Sequence, residues 1–160
     1  MKSLFAVVLI SAFFIACKKD GDHPPSKNEP TRDSLLVSNV WQIQKIHVLQ
    51  NNVVLFYERG GQNNDYNYDN DYLKFEKDGT GTYTAGGNVY NITWQFDNVS
   101  RTELTYLLHD YANGQPWPGV DLEIKLENIF LSESSFRYAE LYTNENGTET
   151  ICSVYREKKN

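Results

Sequence analysis

Cysteine is nearly absent. The 160 residues hold two, Cys17 and Cys152, so at most one intramolecular disulfide is available. Basic charge is in deficit, with 15 Lys and Arg against 21 Asp and Glu and a formal net charge of −6. That balance argues against nucleic acid or anionic lipid headgroups as main partners. No apolar run reaches the roughly 20 residues of a membrane-spanning helix. Apolar residues nowhere repeat with the helical period over a long stretch, which excludes a helical bundle. Zinc-ligand spacing, a Gly-rich phosphate loop and a serine elbow are all missing. Aromatic residues, by contrast, make up 14% of the chain, led by eleven tyrosines. They suffice for a real core in a single domain.

Lys2 precedes an apolar run, Leu4 to Phe14, interrupted by Ser11 and small residues and followed by Ala16 and Cys17. This is the charged-then-apolar order of a secretory signal. Two readings stand on the residues alone: an ordinary signal cut near Ala16, or a cut that leaves Cys17 as the first mature residue. Phe14-Ile15-Ala16-Cys17 resembles the cleavage box of bacterial lipoproteins, with Phe14 where Leu is usual. The resemblance implies a diacylglyceryl thioether on Cys17, a further palmitate-type chain on its amino group, and anchoring to the lipid bilayer. Two or more acyl chains hold stably where one does not. Lys18-Lys19 lacks the Asp that keeps some lipoproteins at the inner membrane. The implied address is the outer membrane of the cell envelope, facing periplasm or cell surface. Cys152 is then left without a disulfide partner.

Lys18 to Asp33 carries Gly21, Pro24, Pro25 and Pro30 among polar residues and reads as a flexible tether. The expected organisation is a signal at 1–16, a lipidated Cys and linker at 17–33, and one folded domain at 34–160. Asp33 or Ser34 is placed to cap one short helical turn through Val37. Beyond it the dominant period is two. Trp41 and Ile43, then Ile46 and Val48, share a face across a phase slip at Gln44-Lys45 that predicts a bulge. Asn51-Asn52, Asp78-Gly79, Gly86-Gly87 and Asn144-Glu145-Asn146-Gly147 read as hairpin turns. The clearest strand sets Tyr90, Ile92, Trp94 and Phe96 on one face against Asn91, Thr93 and Gln95 on the other. Eight or nine short strands joined by tight turns predict an all-β domain, either a sandwich or a barrel. The hairpin-like connections favour a single up-and-down antiparallel β-barrel, with one short N-terminal helical turn.

Four stretches carry a second resemblance, to the small lipocalin-like lipoproteins of Gram-negative bacteria. They are Val40-Trp41-Gln42-Ile43, the run from Leu73 to Tyr83, Ile92-Thr93-Trp94-Gln95-Phe96, and Ile129-Phe130-Leu131-Ser132. Asn39 stands where lipocalins proper have Gly. The resemblance implies a barrel that binds a small apolar or amphipathic ligand, closed at one end by a Trp41–Arg156 pair in which Arg156 stacks on Trp41.

Trp41, Phe75, Tyr83, Tyr90, Ile92, Trp94 and Phe96 are the candidates to line such a cavity, although bulky rings fill a barrel as readily as they line one. Asp65, Asn67, Asp69, Asp71 and Glu76 overlap the ligand spacing of a calcium loop, but Asn70 occupies the sharp-turn position where Gly is required. Loop 60–71 reads more readily as a solvated Asn/Asp/Tyr loop at the barrel mouth, or as an acidic Tyr/Asn surface for a protein or glycan partner over a solid barrel. Catalysis is not expected. His109 and Asp110 are neighbours on a strand and point to opposite faces. Cys152 alternates with Thr150 and Val154 as a small strand residue. No cofactor or resident metal is called for.

Overall fold

In the computed structural model, residues 29–50, 53–112, 115–116, 118–143 and 149–160 are described. Cys17, most of the tether and the turns at Asn51-Asn52 and Asn144-Glu145-Asn146-Gly147 fall outside them. The chain forms α1 (Arg32–Val37), β1 (Val40–Gln50), β2 (Val53–Glu58), β3 (Tyr72–Phe75), β4 (Thr80–Ala85) and β5 (Asn88–Phe96). It continues through β6 (Leu104–Leu108), β7 (Tyr111–Ala112), β8 (Gln115–Pro116), β9 (Leu122–Leu131), β10 (Ser135–Thr143) and β11 (Glu149–Lys158).

Eight of these strands, β1, β3, β4, β5, β6, β9, β10 and β11, close into an antiparallel barrel in that order, with β11 returning to β1. Strand β2 is extra, and β7 and β8 form a separate two-stranded ladder within the β6–β9 connection. The protein is all-β, and the closed barrel is compatible with a lipocalin-like fold. Period-two alternation builds its wall. On β6, Leu104, Tyr106 and Leu108 are buried between half-exposed Thr105 and Leu107. On β5, Tyr90 and Ile92 face in, while Trp94 and Phe96 on the same face are half-buried near its end. The slip at Gln44 is a true bulge, seen as a register shift between Ile43 and Lys45 against β11. Gly81 is required where β4 passes Ile92, because a Cβ there would lie 2.2 Å from the Lys74 carbonyl oxygen.

Below, α1 covers the barrel end. Its N-cap is Thr31, whose hydroxyl accepts from Ser34 N–H at 3.2 Å, so the helix begins at Arg32 and reaches into the stretch read as linker. So short a helix is not stable alone and depends on tertiary contacts. Arg32 Nη1 donates to the carbonyls of Arg101 (3.0 Å) and Ile129 (3.1 Å), and Asp33 pairs with Arg101. Buried Leu36 accepts from Trp41 Nε1 through its carbonyl at 2.8 Å. Trp41, Phe75 and Phe136 pack behind it with ring centroids 5.6 and 6.1 Å apart, forming a solid floor.

The wall is split beside β1. Strand β3 pairs with β1 only at Val40–Gln42, and β2 takes over at Lys45–Gln50. Residues 59–71, between β2 and β3, fold back along the free edge of β2. Asp65 N–H donates to Phe56 O and Asp65 Oδ2 accepts from Phe56 N–H, while Asn64 makes the equivalent two bonds to Glu58. A loop thus imitates a neighbouring strand and covers an exposed edge.

Candidate functional site

Above the aromatic floor the barrel interior becomes polar. Arg156 reaches inward from β11 and is only 2% exposed. Its Nε donates to the hydroxyl of Tyr138 at 2.7 Å, and Nη1 donates to the carbonyl of Trp41 at 3.3 Å. Tyr138 is also hydrogen-bonded to Glu140, itself buried on the same strand. Opposite them, Tyr83 donates to Asp71 Oδ2 at 2.9 Å. Tyr106, fully enclosed, lies within electrostatic range of Glu140, Tyr138, Tyr83 and Arg156. Burial pushes the phenols of Tyr83, Tyr106 and Tyr138 above their ordinary values, so all three are neutral hydroxyls. Burial likewise raises Asp71, against the Tyr83 bond and the Arg156 charge, which pull it down. Cys152 adjoins the same buried cluster, its thiol pushed up to about 12 by burial and then by Glu140, which makes it an inert thiol rather than a nucleophile. One guanidinium therefore shares a low-dielectric space with two carboxyl groups and three phenols.

Loop 59–71 roofs this polar cluster. Tyr57 donates to Asp69 Oδ1 at 2.6 Å, and Arg59 holds the carbonyls of Ile43, Tyr68 and Asp69 at 2.8, 3.3 and 2.8 Å. Tyr68 stands edge-on to Tyr57 at 5.3 Å and lies within electrostatic range of Asp71, Cys152 and Glu140. Tyr90 meets Tyr111 edge-on at 4.8 Å where the β6–β9 connection crosses.

The seven candidate cavity residues separate into three places. Tyr83, Tyr90 and Ile92 line the upper interior. Trp41 and Phe75 belong to the packed floor. Trp94 and Phe96 sit at the lower rim, where Trp94 Nε1 donates to the carbonyls of Glu76 (3.1 Å) and Thr80 (2.9 Å). Trp41 and Arg156 do meet, but through the Trp41 backbone carbonyl; the guanidinium lies over the ring of Tyr138 instead, at 5.9 Å. The five candidate calcium ligands do not converge. Asp65 bonds β2, Asn67 accepts from Asp69 N–H, Asp69 takes Tyr57, Asp71 takes Tyr83 and Glu76 pairs with Lys74. Among the described residues no group of three His, Cys, Asp or Glu is placed to hold a metal ion.

Sequence reasoning missed the partner of His109. It is Asp121, across the β6–β9 connection, with Oδ2 3.0 Å from His109 Nδ1; His109 Nε2 lies 3.2 Å from Thr93 Oγ1. The imidazole bond holds the Asp121 carboxyl below the usual range, helped by Asp110 N–H. This Asp–His–Thr row lies on the outer wall, and Thr93 sits in mid-ladder between β4 and β6. Backbone N–H groups there are committed to neighbouring strands rather than free to hold an oxyanion.

Comparison with known protein families, curated proteins and solved structures found no match to this chain.

Proposed function

We propose that this protein is a lipid-anchored component of the bacterial cell envelope whose barrel binds one small amphipathic molecule. The observation that carries the reading is the buried Arg156–Tyr138–Glu140 chain, faced by Asp71, Tyr83 and Tyr106. A barrel selected only for stability fills with apolar side chains, since burying charge is costly even when the charge is paired. Convergent polar groups within an otherwise apolar interior are the usual signature of a small-molecule site. The polar end of the ligand sits among these groups, and its apolar part lies toward Tyr90, Ile92 and Leu108. Two carboxyl groups facing one guanidinium favour a neutral or cationic headgroup over an anionic one. Loop 60–71 acts as the roof of the site. Its use as a contact surface ranks second, because Asp65, Asp69 and Asp71 are already bonded within the molecule. The protein acts by binding rather than catalysis.

A neutral naphthylamine dye tests the barrel. Saturable emission at one dye per chain, weakened by Tyr90→Ala, is expected; emission that never saturates, or none, contradicts the reading. The anchor is tested separately. Cys17→Ala should abolish palmitate labelling and release the protein from membranes, and retention through detergent-free washing would overturn it.

A further inference from the structure

The outer wall carries a second concave site, on the outer face of the same β10 and β11 strands whose inner face carries Tyr138 and Arg156. Where β9, β10, β11 and β1 lie side by side, a recess of about 350 Å³ opens among Lys45, His47, Asn128, Arg137, Ser153 and Tyr155. Three irregularities produce it: the β1 bulge at Gln44, a β9–β10 register shift between Arg137 and Ala139, and the left-handed backbone of Asn128 (φ 53°). Between them small Ala139 and Ser153 stand opposite each other in register and form a shallow floor. Bulges of this kind re-aim side chains and gather beside functional sites.

The charge of the recess runs against that of the chain. Lys45 and Arg137 bring positive charge, His47 adds an imidazole N–H, and no carboxylate lines it, although the protein is net −6. Arg137 lies over the rings of Tyr155 (4.7 Å) and Phe130 (5.9 Å), and it makes no salt bridge among the described residues. Lys45 meets Glu58 only at 4.0 Å, with both side chains exposed, and Glu157 is occupied by the Tyr155 hydroxyl at 2.6 Å. Arg137 also hydrogen-bonds Tyr155, which leaves further N–H donors of its exposed guanidinium for an oxyanion. Ser153 adds a hydroxyl donor. Screening limits the opposing field of the distant acidic groups to about 10 Å at moderate salt.

We propose that this outer recess binds a phosphate monoester group, gripped by Arg137, Lys45 and His47 and supported by Ser153. The group is carried either on a free small molecule or on a lipid headgroup, and the two sources are distinguishable. Amide NMR of the exported, unacylated Cys17→Ala chain is titrated with phenyl phosphate, and separately the chain is sedimented with phosphatidate-containing and with purely zwitterionic vesicles. Saturable shifts confined to residues around Arg137, Ala139 and Ser153 mark a free phosphate ester as ligand. Selective sedimentation with phosphatidate, without those shifts, marks a headgroup. In either case Arg137→Gln should weaken binding about tenfold, and Glu58→Gln should tighten it by releasing Lys45. Both substitutions are at exposed positions, and the spectrum itself verifies the fold. Absence of both shifts and selective sedimentation, or binding unchanged in Arg137→Gln, overturns the proposal.

Discussion

Arg156 Nε and the hydroxyl of Tyr138 are 2.7 Å apart inside the barrel, and the same hydroxyl is hydrogen-bonded to Glu140. Tyr138 therefore bridges the guanidinium of Arg156 and the carboxyl group of Glu140. Tyr138→Phe keeps the ring but removes the hydroxyl that both side chains bond. It should destabilise the domain by about 1–3 kcal/mol, read from denaturant unfolding at neutral pH. A change within about 0.5 kcal/mol would mean that the chain of bonds is not maintained in solution.

The floor depends on Trp41. Its indole N–H holds the Leu36 carbonyl, and its ring packs against Phe136. Trp41→Phe removes the bond and leaves a void, at a cost of about 2–4 kcal/mol. Because α1 is too short to persist unaided, hydrogen exchange at 32–37 should accelerate beyond the global loss of stability. Equal acceleration everywhere would separate the helix from the indole.

Asn64 and Asp65 shield the β2 edge by bonding the backbone of Phe56 and Glu58. Replacing both with Ala uncovers a row of strand donors and acceptors next to exposed Val53 and Val54. The variant should self-associate in light scattering at concentrations where the parent is monodisperse. An unchanged mass would show that the edge needs no such cover.

Asp71 gives a pH signature. Burial raises its folded-state pKa, so the folded chain binds this proton more tightly than the unfolded chain does. Its contribution therefore grows as pH falls toward the usual carboxylate range and diminishes as pH rises through the folded value. In paired urea titrations, wild type should gain stability relative to Asp71→Asn on acidification. The opposite trend would place Asp71 in a pair that favours its charge.

Much of the barrel was readable from local pattern. Alternation at Tyr90–Phe96, the slip at Gln44 and the Asp78-Gly79 turn are encoded by neighbours in sequence, so the strands and the bulge follow from them. The helix start was displaced toward Thr31 because that hydroxyl caps as well as Asp33 or Ser34 would. What escaped depends on tertiary pairing. Asn64 and Asp65 imitate a strand with side chains, which leaves no periodic signal. His109 finds Asp121 across a connection, not its neighbour Asp110. The buried polar cluster is the clearest example: Glu140 and Arg156 occupy ordinary inward positions, and only the pairing of β10 with β11 around Tyr138 joins them. Trp41, Phe75, Trp94 and Phe96 share inward faces with Tyr90, yet strand stagger distributes them between floor and rim.

The most direct test of the account is native mass spectrometry of the Cys17→Ala chain, exported and purified from the envelope without detergent. The account predicts a discrete added mass at one per barrel, lost on denaturation and depleted in Tyr138→Phe relative to wild type. Wild-type barrels carrying only the mass of the polypeptide would contradict it.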